Sequence, residues 1–424
     1  MAAAQVLAEP YLPQSLRGKY LQHERRLIPH PGVSADIEWE PNYEKYAERV
    51  NARALLKGLP STLPVGWPQR LESPLSWTLD SLPAESEYIY ELDDAEKQEI
   101  LDAVSHFKGL RLPTRAISTN TFPLPTLASK LETFSQVVHD GFGFVIVRGF
   151  RSVKASGSDE TIAFLGVSSY IAAQRGRQNL DGDRIVHILD VNNDKVPDGQ
   201  RASVYTNVAQ PFHSDVYCDV LALLARGIAK EGGNSIIASS WAVYNELASN
   251  RPDLIQTLAA NNWTFDTFGR DPPYHQRPLM FHEDGRVLLN FSRRLLTGSP
   301  EQPRSPGLPP ITEAQAEALD AVHFTALKNQ LVVPIQQGDM RFLNNHTILH
   351  CRDSFEDSEQ WKRHLVRLWL RNPARAWAVP KGLQMAHDRI YEKWHEHDDS
   401  DANWPLDPTI GEEQLRRQAS CGQG

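Results

Sequence analysis

The sequence predicts an α+β protein with a mainly β core, a β-barrel or jelly roll that helices cover on one side. From about residue 185 onward, short apolar runs of strand length alternate with turn residues, and few helical patterns interrupt them. Residues 1 to about 90 are rich in proline and weakly periodic, which is typical of an irregular arm with short helices. Many short strands beside a few helices indicate this fold class.

Composition and charge exclude several classes of function. The chain has 424 residues, of which 41% are hydrophobic and 23% charged, so it can bury a large core. The formal net charge of −9 argues against a nucleic-acid surface. There is no apolar run of membrane-spanning length and no signal-peptide pattern, so we expect no membrane partner. Three scattered cysteines form neither a disulfide framework nor a zinc ribbon, which favours the cytoplasm.

Three helices and one buried strand are predicted in the first half of the core. Residues 91–110 carry Asp93 or Asp94 as a cap, an apolar stripe and Gly109 to close the helix. Residues 125–141 repeat the apolar stripe and the closing glycine, and a third helix is expected within residues 158–176. The run "FGFVIVRGF" at 142–150 follows the second helix and is typical of a buried strand.

The second half is predicted as strands with two long helices between them. The helices cover 240–259, capped by Ser239 or Ser240, and 313–330. The predicted strands lie within residues 184–191, 202–208, 219–225, 232–240, 286–292, 331–335, 339–351 and 363–372. The acidic and histidine-rich run at 395–399 is expected to be solvated.

A histidine and an aspartate two residues apart give the first functional signal. On a strand, His213 and Asp215 in "PFHSDV" share one face, because successive side chains point to opposite faces. They can be a hydrogen-bonded pair on a polar sheet face, or they can hold a divalent metal. A metal needs a third ligand, and His350, at the end of a predicted strand, is a candidate. Two histidines and a carboxylate leave three coordination positions open, which suits Fe(II), a chelating co-substrate and O₂.

Two arginines follow on the last predicted strand. Arg363 and Arg367 share a face with Leu365 between them, and a buried guanidinium can bind a carboxylate through two parallel hydrogen bonds. Ser235, after a Gly-Gly turn, could donate to the same carboxylate. Arg293 and Arg294 fit either a substrate contact or a structural ion pair. Further signals for substrate contacts are Tyr205 and Asn207, which precede His213.

The ordered segments "GFGFVIVRGF", "QPFHSD", "EGGNSIIASSWAVYNEL", "FLNNHTILHCRDSF" and "RHLVRLWLR" resemble the taurine/2,4-D dioxygenase (TauD/TfdA-like) family of Fe(II)/2-oxoglutarate-dependent oxygenases. The likeness runs from about residue 115 to about 380 and is closest to large fungal members with an N-terminal extension. It implies a double-stranded β-helix (jelly roll) and oxidation of a C–H bond in a small organic substrate, with release of succinate and CO₂. Hydroxylation, desaturation and ring closure all remain open, and specialised fungal metabolism is the context implied.

The resemblance also implies roles for individual residues. His213, Asp215 and His350 take the places of the metal ligands, and Arg363 that of the arginine that binds 2-oxoglutarate. Arg367 falls on a second family arginine nearer the substrate, with the two roles exchangeable, and Ser235 falls on a hydroxyl position. Two departures are that His346 stands where relatives often carry arginine, and that Ala209 replaces the asparagine of bacterial taurine enzymes, which argues against taurine as the substrate.

Two alternatives remain open from the residues. A zinc or manganese hydrolase could use the same ligands with a metal-bound water, and a β-helix that lost catalysis could serve as a binding protein. The domain boundaries predicted are an N-terminal extension at 1–112, the oxygenase domain at 113–385 and a tail at 386–424. A small-molecule substrate is the expected partner, without nucleic acid or membrane, and a homo-oligomer is left open.

Overall fold

The computed structural model describes residues 32–151, 156–179, 182–191, 201–215, 217–300, 302–392 and 403–408. The run at 395–399 lies outside these ranges. The helices are α1 (Tyr43–Ala54), α2 (Glu85–Tyr88), α3 (Asp94–Leu110), α4 (Ala128–Asp140), α5 (Gly157–Ile171), α6 (Ser240–Asn250), α7 (Pro252–Ala259), α8 (Arg294–Thr297), α9 (Glu313–Lys328) and α10 (Gln384–Tyr391).

The strands are β1 (Ile89–Glu91), β2 (Phe144–Arg148), β3 (Gln174–Arg175), β4 (Val186–Leu189), β5 (Gln210–His213), β6 (Val220–Gly227), β7 (Glu231–Gly232), β8 (Ser235–Ser239), β9 (Trp263–Asp266), β10 (Tyr274–Arg277), β11 (Met280–Glu283), β12 (Arg286–Leu289), β13 (Leu331–Val333), β14 (Met340–Asn344), β15 (Ile348–Arg352), β16 (Phe355–Glu356) and β17 (His364–Arg371).

Two sheets form the core. The large sheet has the order β1-β2-β14-β6-β17-β3, with β4 also paired to β17, and the small sheet has the order β13-β8-β15-β5. Apolar side chains from both sheets, such as Leu223 and Trp369 on the large one and Ile237 and Leu349 on the small one, pack in one cluster. The sheets therefore enclose a common interior, and the predicted jelly-roll core is confirmed.

Helices cover the outer face of the large sheet. A second apolar cluster joins α3, α4 and α5 to outward-facing residues of β2, β6, β14 and β17, for example Val145, Leu224 and Val366. Because β2 is covered on both faces, all five of its residues are buried, as the apolar run predicted. Helix α3 begins as predicted, with Asp93 accepting from the backbone N–H of Glu96 at 2.8 Å.

The structure corrects three predictions of local structure. Gly109 does not end its helix, which continues to Leu110 and ends at Arg111 in the left-handed conformation (φ 53°). The strand expected at 202–208 is a 3₁₀ turn at Ser203–Tyr205 followed by an irregular segment. The helix expected at 240–259 is two helices, because Pro252 lacks the N–H that a continuous helix needs and disfavours helical geometry at Arg251.

Among the described residues, no helix combines the length and the apolar character needed to cross a bilayer.

Candidate active site

Neighbouring strands of the small sheet bring two distant histidines side by side. β15 runs antiparallel to β5, and His350 pairs directly with His213 in their register. Side chains directly opposite each other on antiparallel strands point to the same face, so both imidazoles enter the interior between the sheets. Their ring centroids are 4.2 Å apart.

Asp215 lies two residues beyond the end of β5 and completes a cluster of three possible metal ligands. Its Oδ1 is 4.0 Å from Nε2 of His213 and 3.6 Å from Nε2 of His350. Two donor atoms that each bind one metal ion at about 2.1 Å can be at most about 4.2 Å apart, and both distances satisfy this limit. Within the described part of the chain, this is the one such group of at least three histidine, cysteine or acidic side chains.

The hydrogen bonding of His213 leaves its Nε2 available to a metal, and Nε2 of His350 faces the same carboxylate oxygen of Asp215. Nδ1 of His213 lies 2.9 Å from the carbonyl oxygen of Pro211, which can only accept, so Nδ1 carries the proton and Nε2 the lone pair. Burial, followed by the proximity of His213, lowers the pKa of His350 to about 3. Both imidazoles are therefore neutral at physiological pH, which is the state that binds a metal.

The carboxylate of Asp215 is held ionised. Burial alone would raise its pKa, but Arg367, the two histidines and the Trp369 indole together lower it. The Arg367 guanidinium lies 3.3 Å from Oδ2, and the indole N–H of Trp369 donates to the same oxygen. Oδ1 is left to face the two histidine Nε2 atoms.

A cavity of about 690 Å³, including the part open to solvent, adjoins the two histidines between the sheets. Four buried arginines line it, namely Arg341, Arg352, Arg363 and Arg367. Each has one guanidinium N–H group with no partner among the described residues. Burial, then the proximity of Arg352, lowers the pKa of Arg363 to about 9, so it remains mostly protonated at neutral pH. Buried donors of this kind indicate that the cavity accepts an anion.

The cluster and the cavity together fit iron with 2-oxoglutarate. Two neutral imidazoles and one carboxylate are the donor set of non-haem Fe(II) oxygenases. Arg363 adds an unpartnered Nη1 to the cavity, while its Nε donates to the carbonyl oxygen of Gly233 at 3.2 Å. An organic dianion that chelates the metal at one end would bring its other carboxylate to such a guanidinium.

The other predicted site residues divide into two groups. Ser235 lines the cavity, and its Cα pairs with that of Arg352 across the sheet. Tyr205 is half-buried and Asn207 is exposed. Neither is among the described residues that line the cavity, although their neighbour Val204 is. Their role as substrate contacts stays a prediction.

Asn345 fixes the loop that carries Asp215. Its side-chain oxygen accepts from the backbone N–H of Asp215 at 2.8 Å. Its amide nitrogen donates to the carbonyl oxygens of Asp215 and Cys218, both at 3.1 Å. The asparagine is 3% exposed, so all three hydrogen bonds are protected from water. The residue therefore sets the backbone position of the third candidate ligand.

Replacing Asn345 with alanine should weaken both the fold and the metal site. Three buried hydrogen bonds at about 1 kcal/mol each predict a loss of about 3 kcal/mol in the free energy of unfolding. Misplacement of Asp215 should lower Fe(II) affinity about 10- to 100-fold. Urea unfolding of the metal-free protein and anaerobic Fe(II) titration measure the two effects.

Asn372 offers a matched control, because its amide donates to Ser135 and Ile171 and does not contact the site. Asn372→Ala should destabilise the fold without changing the Fe(II) affinity. If Asn345→Ala bound Fe(II) as tightly as the wild type, the positioning role would be wrong.

Sequence reasoning missed Trp369, Arg352, Arg341 and Asn345. Trp369 could have been found, because it continues the period of two from Arg363 through Arg367 on β17. By the same rule, Arg352 could have been found, because it lies two residues after His350. Arg341 and Asn345 carry no signal of this kind. Arg341 comes close to Arg367 only because β14 and β17 both pair with β6, where Leu223 lies between the two arginines.

A jelly roll that carries two histidines, one carboxylate and buried arginines at its interior defines a class, the non-haem iron oxygenases. Comparisons with known proteins agree. The sequence model of the taurine catabolism dioxygenase TauD, TfdA family matches residues 107–369. Since the match covers more than half of the sequence, the chain belongs to this family.

Two characterised relatives and two solved structures are similar to this chain. A taurine hydroxylase-like protein SAT17 from Stachybotrys chartarum is 33% identical over 346 residues, which cover 80% of this chain and 89% of the relative. FR-33289 synthase from Streptomyces rubellomurinus is 26% identical over 310 residues, covering 69% and 88%.

The solved structures share the fold. Asparagine oxygenase in complex with Fe(II), 3-hydroxyasparagine and succinate superposes with a TM-score of 0.53 at 15% identity, covering 69% of this chain and 99% of that one. The non-haem iron oxygenase OrfP with Fe and α-ketoglutaric acid gives 0.51 at 16%, covering 68% and 95%. The protein is thus a non-haem iron, 2-oxoglutarate-dependent dioxygenase that uses Fe(II), 2-oxoglutarate and O₂, and the hydrolase and binding-protein alternatives are set aside.

Proposed function

We propose that His213, Asp215 and His350 hold the iron, and that the protein oxidises a C–H bond of a small organic acid. The convergence of three side chains from β5, the following loop and β15 is the observation that carries this proposal. Iron with bound 2-oxoglutarate supplies the oxidising power, with succinate and CO₂ as the co-products. The chain's own contribution is to bind, orient and exclude water.

Arg363 is the proposed partner of the far carboxylate of 2-oxoglutarate. The two candidate arginines differ in the partners that their guanidinium groups already have. Arg367 lies against Asp215 and donates from Nε to Gln178 at 2.8 Å, so it supports the ligand set. The guanidinium of Arg363 donates to the carbonyl oxygen of Gly233 and to no carboxylate among the described residues, and Ser235 lines the same cavity. A carboxylate at Arg363 would give this buried guanidinium a directly paired counter-charge, which the nearby Asp353 and Asp357 do not provide through hydrogen bonds to it.

The proposed substrate class follows from the buried positive charge in the cavity that 2-oxoglutarate would leave without a partner. Arg352 lines the same cavity, and its Nη2 donates to the carbonyl oxygens of Thr206 and Val208, while its Nε has no partner among the described residues. It therefore lies where the cavity meets the segment before β5. A carboxylate on the substrate would satisfy it. The amino-acid products bound in the structures of asparagine oxygenase and OrfP are consistent with this class.

Anaerobic addition of Fe(II) and then 2-oxoglutarate to the purified protein tests the site. We expect a weak visible charge-transfer band, and succinate on admission of air with a panel of amino and other organic acids. A protein that binds Fe(II) but gives neither the band nor succinate would refute the proposed site. Succinate released only with uncharged substrates would refute the substrate class alone.

A further inference from the structure

The N-terminal extension reaches a cleft beside the proposed iron ligands. A cleft of about 310 Å³, including open solvent, is lined by Trp39, Ser203, Gln210, Pro211, His213 and Arg294, among others. His213 and Gln210 also line the arginine-rich cavity, so the two spaces meet at the metal ligand. Trp39 lies far outside residues 107–369, which the family's sequence model matches.

A buried ion cluster holds Trp39 in this position. The carboxylate of Asp320 on α9 accepts from Arg49 of α1 at 2.9 Å and from Arg293 at 2.7 Å. All three side chains are buried. Arg293 also donates to the backbone carbonyl oxygens of Glu38 and Trp39, at 2.6 and 3.0 Å. The carboxylate of Asp320 thus orients Arg293, which hydrogen-bonds to the backbone of Trp39.

The second arginine and an aromatic cluster secure the rest of the arm. Arg49 donates to the carbonyl oxygen of Asp36 at 2.8 Å. Tyr43 and Tyr46 of α1 pack on Phe324 of α9, with ring centroids 5.3 and 5.1 Å from it. The backbone of the arm is therefore fixed on both sides of Trp39, which lowers the ordering cost of presenting its side chain to a substrate.

We propose that Trp39 is a specificity-determining residue, and that the substrate places an apolar or aromatic group against its indole. This inference rests on the proposed function and extends it from the arginine-lined cavity to the adjoining cleft. 2-Oxoglutarate and the carboxylate of the substrate lie in the arginine-lined cavity, and the rest of the substrate extends into the cleft, which meets the cavity at Gln210 and His213. The half-buried indole and Pro211 form apolar surface there, next to the polar Ser203 and Gln210. A carboxylic acid with an apolar or aromatic portion fits this combination.

Kinetics of tryptophan variants test the proposal, with succinate and product both measured. The probes are the twenty common L-amino acids and a set of aliphatic and aromatic carboxylic acids. Trp39→Ala should raise KM for the best substrate by about tenfold or more, since apolar contact area is lost while the iron site is unchanged. It should also raise the ratio of succinate to product, because the substrate is held less firmly. Trp39→Phe should retain most of the selectivity.

Leu55→Ala is the matched control, because it removes an exposed apolar side chain from the same N-terminal extension without lining the cleft or packing on α9. It should leave KM and the order of preferred substrates unchanged. The charge-transfer band and the affinity for 2-oxoglutarate should be unchanged in all three variants. If Trp39→Ala had the wild-type KM and the wild-type order of preferred substrates, the proposed contact between the indole and the substrate would be refuted.

A second measurement is independent of turnover. In protein labelled with 5-fluorotryptophan, the ¹⁹F signal of Trp39 is identified by its loss in Trp39→Phe. Mn(II) with 2-oxoglutarate should broaden this signal strongly relative to Zn(II), and should broaden that of Trp404, which packs on the far side of the large sheet, less. A Trp39 signal no broader than that of Trp404 would overturn the placement of the arm. Absence of the band and of succinate in the wild type would instead refute the oxygenase site.

Discussion

Fe(II) binding is expected to be lost when His213 is replaced by alanine, and the charge-transfer band with 2-oxoglutarate should disappear with it. The imidazole is one of only three protein donors in the proposed set, and no further histidine, cysteine or acidic side chain among the described residues joins that group. Removal of an outer-shell partner alone costs about 10- to 100-fold in metal affinity, so loss of a direct ligand should cost at least about a hundredfold. Anaerobic Fe(II) titration followed by visible spectroscopy measures both effects.

His346 provides the control for this experiment. It lies four residues before His350, a spacing that would also suit a histidine pair on one metal, and it is buried. Its Nε2 lies 3.3 Å from Asp219, which also pairs with Arg371, so it belongs to a different polar cluster. His346→Gln should therefore bind Fe(II) and give the band. Iron bound normally in His213→Ala but lost in His346→Gln would mean that the wrong histidines were assigned.

The affinity for 2-oxoglutarate should fall strongly when Arg363 is replaced by alanine, while Fe(II) remains bound. A buried charge-assisted contact of this kind is worth about 2–4 kcal/mol, which corresponds to about 30- to 1,000-fold in Kd. Arg363→Lys should be intermediate, because it keeps the charge but loses the fork of parallel donors. Titration of the charge-transfer band with 2-oxoglutarate gives Kd, and Fe(II) titration gives the metal affinity separately.

Arg367→Ala separates the two arginine roles. Because Arg367 contacts the carboxylate of Asp215, its loss should reduce the Fe(II) affinity as well as that for 2-oxoglutarate. Unchanged 2-oxoglutarate affinity in Arg363→Ala would transfer the co-substrate role to Arg367.

Local elements were predictable where one short pattern controls the backbone. The strand β2, with four apolar residues followed by Arg148, and the Asp93–Glu96 capping box at the start of α3 were predictable from their neighbouring residues alone. The segment at 202–208 was predicted as a strand, since its alternation resembles one. In the structure, Arg352 instead holds the carbonyl oxygens of Thr206 and Val208, which removes them from any sheet. A distant side chain overrode the local preference.

The sequence by itself determined which side chains share a face. Strand geometry has a period of two, so Arg363 and Arg367 had to point the same way. Asp215 was expected on the same strand face as His213, but it lies beyond the end of β5, and Asn345 rather than strand geometry sets its position. Which faces meet was decided only by tertiary structure, because pairing between strands depends on contacts between segments far apart in the chain. The register of β15 against β5 put His350 beside His213, and the Asp320 cluster brought Trp39 of the N-terminal arm to the same site.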